Sequence, residues 1–206
     1  FQDFVAGQRF IRRTPIIVTL LLMVAIPSFW GFPFLQLIPV FARDLLRQAG
    51  DTSIIVATRN SILVTSQGVG ALLASLILAS FSLYRRKGTL LMMGQVAFAV
   101  ALFGMGLSRG LGSAIPLMAL LGWGVVMQLA LTNTLIQLAA PDELRGRVIS
   151  SFLWVLQGIA PFGSLFLGWF VQSWGAANAA IVCGGVCLIG YLLVRILRPS
   201  IYRINS

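Results

Sequence analysis

Histidine is missing from this chain of 206 residues, and acids are scarce: five Asp and Glu stand against fifteen Lys and Arg. Without imidazole there is no histidine base and no histidine metal ligand. The five acids, Asp3, Asp44, Asp51, Asp142 and Glu143, stand in tails, in loops or at the ends of apolar runs. No carboxylate is therefore placed at mid-membrane depth, where proton carriers sit. A nucleophile with its base, a pair of acids and a metal cluster are all lacking, and no GxSxG elbow is present, so an enzyme finds no chemistry here. Cysteine is rare too. Cys183 and Cys187 lie four apart in an apolar run and read as small packing residues, not as a disulfide or metal pair. No cofactor or metal site is expected.

Charge of either sign is low. Charged residues make up 10% of the chain and apolar residues 58%, with a mean hydropathy of +0.94, whereas a soluble domain carries about a quarter charged residues. Apolar runs recur along the whole length, each matching the roughly 20 residues that cross a bilayer as a helix. Six are expected, at 16–41, 61–83, 89–107, 114–138, 148–172 and 176–194. Thr14 and Pro15 open the first, which Pro27, Gly31, Pro33 and Pro39 interrupt. The apolar stretch at 54–57 precedes Arg59 and Asn60 and reads as interfacial.

The net charge of +10 does not indicate nucleic acid, because the basic residues fill the short gaps between apolar runs as topology signals do. Arg9, Arg12, Arg13, Arg85, Arg86, Lys87, Arg145, Arg147, Arg195, Arg198 and Arg203 fall on one side of a six-span chain; Arg43, Arg47, Arg59 and Arg109 fall on the other. The positive-inside rule puts the first group, and both termini, in the cytoplasm. Residues 1–13 set Phe1, Phe4, Val5 and Ile11 against Arg9, Arg12 and Arg13 and read as an amphipathic linker. The expected organisation is a cytoplasmic linker at 1–15, a six-helix bundle at 16–197 and a cytoplasmic tail at 198–206, the whole being the C-terminal part of something longer.

Two spans share a short repeat: Gln67-Gly68-Val69-Gly70 in the second and Gln157-Gly158-Ile159-Ala160 in the fifth. A 3+3 inverted repeat pairs those two spans. Amides and hydroxyls within spans are few: Gln67, Gln95, Gln128, Thr132, Asn133, Gln137 and Gln157, with Trp30, Phe34 and Gln36 in the interrupted first span. In hydrocarbon such groups either find partners or line water.

The loop Pro141-Asp142-Glu143-Leu144-Arg145-Gly146-Arg147-Val148 is the most distinctive segment. It suits ordinary helix capping, with Pro at a first position and acids at an N-terminus; it suits equally a charged latch against a partner domain. Together with Arg12-Arg13-Thr14-Pro15, Pro39-Val40-Phe41-Ala42-Arg43-Asp44 and Gly68-Val69-Gly70-Ala71-Leu72-Leu73, in this order and spacing, it resembles the C-terminal half of major facilitator superfamily exporters of the enterobactin-exporter-like, or transmembrane secretion effector, group.

The resemblance implies an all-α membrane protein whose six transmembrane helices form one half, a 3+3 inverted repeat, of a major facilitator fold. They would be helices seven to twelve of a twelve-helix transporter, with the N-terminal six outside this sequence. It implies helices one and four of this half as cavity walls, and a third and sixth turned to lipid. The cavity candidates are then Trp30, Phe34, Gln36, Gln67, Gln128, Asn133 and Gln157, with Gln95 set aside as peripheral.

Arg85 and Arg86 sit where the superfamily carries a second Gly/Asp/Arg-rich loop, though the acid of that motif is missing here. Gly158, Pro161 and Gly163 resemble the glycine-proline motif of antiporters, and plain close packing accounts for the same residues. With Asp142, Arg145 and Arg147 they are the gating candidates. The function so implied is secondary export of an amphipathic, siderophore- or drug-like small molecule across a bacterial inner membrane, with lipid, the N-terminal half and the solute as partners. An accessory membrane subunit or an inactive truncated product is the alternative.

Overall fold

The computed structural model describes residues 2–44, 52–80 and 87–197. Among them the chain forms ten helices and no strand: α1 (Gln2–Arg13), α2 (Pro15–Trp30), α3 (Phe32–Gln36), α4 (Ile38–Asp44), α5 (Ser53–Ser80), α6 (Lys87–Leu107), α7 (Leu111–Ala139), α8 (Asp142–Gly158), α9 (Ala160–Trp174) and α10 (Ala176–Leu197). Six stretches are long and apolar enough to cross a bilayer, and α2–α3 and α8–α9 each count as one. The tail at 198–206 lies outside the described residues.

Three boundaries differ from those expected. The first span is not one kinked helix to residue 41 but three pieces. The Gly31 amide donates to the Pro27 carbonyl, and the chain then tightens, with Phe34 N donating to Gly31 O and Leu37 N to Phe34 O. The second span begins at Ser53, running through Arg59 and Asn60 without a break. The Thr58 and Ser61 hydroxyls donate to the carbonyls of Ile54 and Ala57 one turn back, which satisfies them within the helix. The fifth span begins at Asp142 and divides at Ile159. Leu144 N donates to the Pro141 carbonyl, and Asp142 and Glu143 occupy the first turn of α8, where negative charge suits the helix dipole.

The bundle is built on α7, which lies between α5 and α6; α10 packs along α6, and α2 touches α7, α8, α9 and α10. A β-carbon at Gly70 would collide with the Ala119 carbonyl, and one at Gly122 with the carbonyl of Gln67. Two glycines facing two carbonyls let the α5 and α7 backbones touch, the small-residue packing that membrane helices favour. Within this bundle, half of the apolar stretch of α6 is buried (50%), against 17% for α5 and 17% for Asp142–Trp174, because α6 packs between α7 and α10. Cys183 and Cys187 are free and buried in the core beside Phe98, Leu102 and Met105.

Candidate functional site

Two broken helices meet at their breaks. Proline has no N–H, so Pro33 leaves the Phe29 carbonyl without its helical donor, and Pro161 does the same to Gln157. The first turn of α9 lies against this part of α2–α3. Gly163 is the point of contact: a β-carbon there would collide with the Phe29 carbonyl oxygen and come within 2.9 Å of Pro33 Cγ. The Cα–H of Gly163 thus faces the carbonyl that Pro33 orphans, and supplies a weak donor. Along α9 from that contact an aromatic column continues. Phe166 stands 5.8 Å from Phe29 and edge-on to Trp30 at 5.3 Å, Phe170 stacks on Phe166 at 6.1 Å, and Trp174 lies 5.0 Å beyond.

Beside the contact is an open groove of about 770 Å³ lined by Phe32, Gln36, Leu156, Gln157, Ala160, Pro161, Ser164 and Leu165. That is the size of a small-molecule site. Its walls are apolar apart from two amides and a hydroxyl, and the Ser164 hydroxyl already donates to the Ala160 carbonyl at 3.0 Å. Gln36 and Gln157 are exposed. Among the described residues none that lines the groove is charged. Such a surface can give and accept amide hydrogen bonds and cover apolar area, which suits a neutral or amphipathic ligand. Among the described residues no three His, Cys, Asp or Glu side chains gather as metal ligands.

The remaining candidates are dispersed. Trp30 is half-buried in the aromatic column, and Phe34 is fully buried in the core, edge-on to Phe41 at 6.0 Å. Gln67 is half-buried on α5, its carbonyl against Gly122. Gln128 turns inward, its Oε1 accepting from the Tyr191 hydroxyl at 3.0 Å. Asn133 accepts from Gln137 Nε2 at 3.2 Å along α7. Gly158 stands at the end of α8, immediately before the break. At the other end of α8 Asp142 pairs with Arg145 at 2.6 Å, and Arg147 is half-buried two residues on. Arg85 and Arg86 lie outside the described residues.

Sequence reasoning missed Phe32, Leu156, Ala160, Ser164 and Leu165 in the groove, although Ala160 and Ser164 stand among or next to Gly158, Pro161 and Gly163, which it had marked. It also set aside Gln95, which is buried between α6 and its neighbours with Oε1 unpartnered, as are Gln128 Nε2 and Thr132 Oγ1. Tyr191, which ties α10 to α7, read as one more residue of an apolar run. Its hydroxyl inside a span was the available signal. Tyr191→Phe is expected to lower the unfolding free energy by about 1 kcal/mol, the scale of an interhelical hydrogen bond in a membrane protein, measured by denaturation in detergent micelles. An unchanged value would mean that the bond adds nothing.

Comparison with known proteins agrees with this architecture. A solved POT family transporter in complex with a thioalcohol-conjugated peptide superposes over 98% of this chain with a TM-score of 0.66 at 16% identity. Another, in complex with 5-aminolevulinic acid, superposes over 97% with a TM-score of 0.62, also at 16% identity. At such identity the likeness speaks for the fold, which is that of the major facilitator superfamily. The chain spans less than half of either transporter, 44% and 42% of their lengths. No curated protein matches the sequence. The family profile described as transmembrane secretion effector matches residues 1–202. With six apolar spans, two of them broken, and a match from end to end, the chain belongs to the transmembrane secretion effector family of the major facilitator superfamily.

Proposed function

We propose that this chain forms the C-terminal half of a secondary transporter that exports an amphipathic small molecule by alternating access, and that it is a carrier and not an enzyme. The observation that carries the reading is the pair of broken helices crossing at Gly163 beside a groove with two exposed amides. Membrane carriers build substrate sites near the bilayer midplane from discontinuous helices at the interface of two repeats. Gln36 and Gln157 would be costly in hydrocarbon; a second six-helix half laid over α5 and α8–α9, the least buried spans, covers them and closes the groove into a cavity. In this reading the basic ends of the spans and both termini face the cytoplasm of a bacterium, and the Asp142–Arg145 loop meets the partner half there as a latch.

The test is transport by the complete protein carrying Gln36→Leu and Gln157→Leu. Both side chains are exposed in this half, so assembly should survive. Losing two hydrogen bonds to the solute, about 1 kcal/mol each, should raise KM about thirtyfold in the double variant with little change in the amount of protein in the membrane. Transport with unaltered KM would overturn the groove as the substrate wall.

A further inference from the structure

A second groove, of about 350 Å³, runs between the first turns of α2 and the last turn of α10. Its walls are Val18 and Leu22 on one side and Val194 and Leu197 on the other, with Arg12 at one end. Thr19 also lines it, but its hydroxyl donates to the Pro15 carbonyl at 2.7 Å, so the wall presents little free polarity. None of the lining residues comes from α5, α8 or α9, the face assigned above to the partner half. On that reading of the partner face, the groove lies open to lipid in the assembled transporter as well.

We propose that this groove holds one anionic phospholipid, with its phosphate on Arg12 and an acyl chain laid between α2 and α10. Depth supports it: Pro15 to Leu22 rises about 10 Å along α2, within the roughly 15 Å of a single leaflet's hydrocarbon. Charge supports it: Arg9, Arg12, Arg13 and Arg195 are all exposed at this end of the bundle, and clusters of basic residues where helices enter the membrane select anionic headgroups. Of the acids at the same end, Asp142 is taken up by Arg145 at 2.6 Å, and Glu143 beside it in the first turn of α8 stands against the four arginines. Arg195 leans to the other flank of α10, its Nη1 donating to Met92 Sδ at 3.1 Å, and so leaves Arg12 as the headgroup contact. The break at Thr14 matters here. It sets α1 apart as a separate amphipathic helix, with Ile11 buried and Arg9, Arg12 and Arg13 exposed, which places arginines at the mouth of a groove whose floor is apolar.

The probe is the complete transporter reconstituted in vesicles of phosphatidylglycerol and phosphatidylcholine in equal parts, then released and weighed by native mass spectrometry. One phosphatidylglycerol is expected to stay bound in preference to phosphatidylcholine. Arg12→Gln should cut its retention about fivefold, the effect of one basic residue near an anionic surface. Leu22→Trp, which fills the groove, should cut retention of both lipids, and Arg109→Gln at the opposite end of the spans should change nothing. Equal retention of the two lipids, or indifference to Arg12→Gln, would overturn the proposal. Displacement of the lipid by inorganic phosphate alone would do so as well, by reducing the site to a headgroup anchor without a chain.

Discussion

Replacing Gly163 with leucine in the complete protein is expected to reduce transport to less than a tenth of its starting rate, whereas leucine at Gly168, five residues on in the same helix, should leave it within about twofold. The two glycines differ only in what surrounds them. A β-carbon at Gly163 meets the backbone of Phe29 and the ring of Pro33; one at Gly168 meets nothing within 4 Å. Glycine to alanine in a helix ordinarily gains about 1 kcal/mol, so Gly168→Ala should stabilise slightly. At Gly163 that gain is opposed by overpacking, about 1–3 kcal/mol for added methylenes in a close-packed site, and here the obstruction is backbone, which cannot rotate aside. Alanine should therefore move stability in opposite directions at the two positions, and leucine should separate α9 from α2. Efflux by reconstituted vesicles, with denaturation midpoints measured in parallel, checks both. Equal tolerance at the two sites would show that the α2–α9 contact has no part in transport.

A second large effect concerns the six spans by themselves. This chain expressed without a partner half is expected to move no substrate, and co-expression with the N-terminal half should restore efflux. The exposed surface gives the reason. Leu72, Leu76, Trp154, Phe162 and Leu165 are each more than 60% exposed along α5, α8 and α9, and the amides of Gln36 and Gln157 lie among them. Apolar side chains tolerate lipid, but amides without partners do not, and alternating access needs two walls around the solute. The lone chain should also self-associate, visible as a mass above one protomer in detergent. Saturable efflux from vesicles holding only these 206 residues would refute the half-transporter reading.

Much of this was legible in the residues. Apolar length located six spans, and the prolines marked the first as interrupted. The division of the fifth at Ile159 was not expected, since proline alone does not decide a break: Pro27 and Pro116 stand inside continuous helices. The direction in which each span faces was not legible. Around a soluble helix, hydrophobic periodicity marks the inside; in a bilayer lipid and core are equally apolar, so α6 and α10 read as plain lipid-facing rods. What turns them is close contact of small residues, such as Gly94 against Met127 and Gly184 against the α6 backbone, which packs α6 between α7 and α10 and carries Gln95 inside with it. The hydrogen bond from Tyr191 to Gln128 spans 63 residues, and nothing in either local segment announces the other. For the same reason Phe34 and Gln36, two residues apart on α3, have opposite fates. Phe34 enters the core and Gln36 opens on the groove, a split decided by the rotation of a single turn of helix.

The contact between Gly163 and the Phe29 carbonyl has a mechanical consequence. Each proline break, taken alone, is a joint about which the outer part of a helix swings independently of the inner part. Fastened together at the joints, and again where Phe166 meets Phe29 and Trp30, the two helices are restrained against moving independently. If the transporter moves as proposed above, a tilt of α2 at its break would therefore be expected to carry α9 with it. The pair would act as a single lever with its fulcrum beside the groove, converting motion of the solute-facing wall into motion of the distal end without slack.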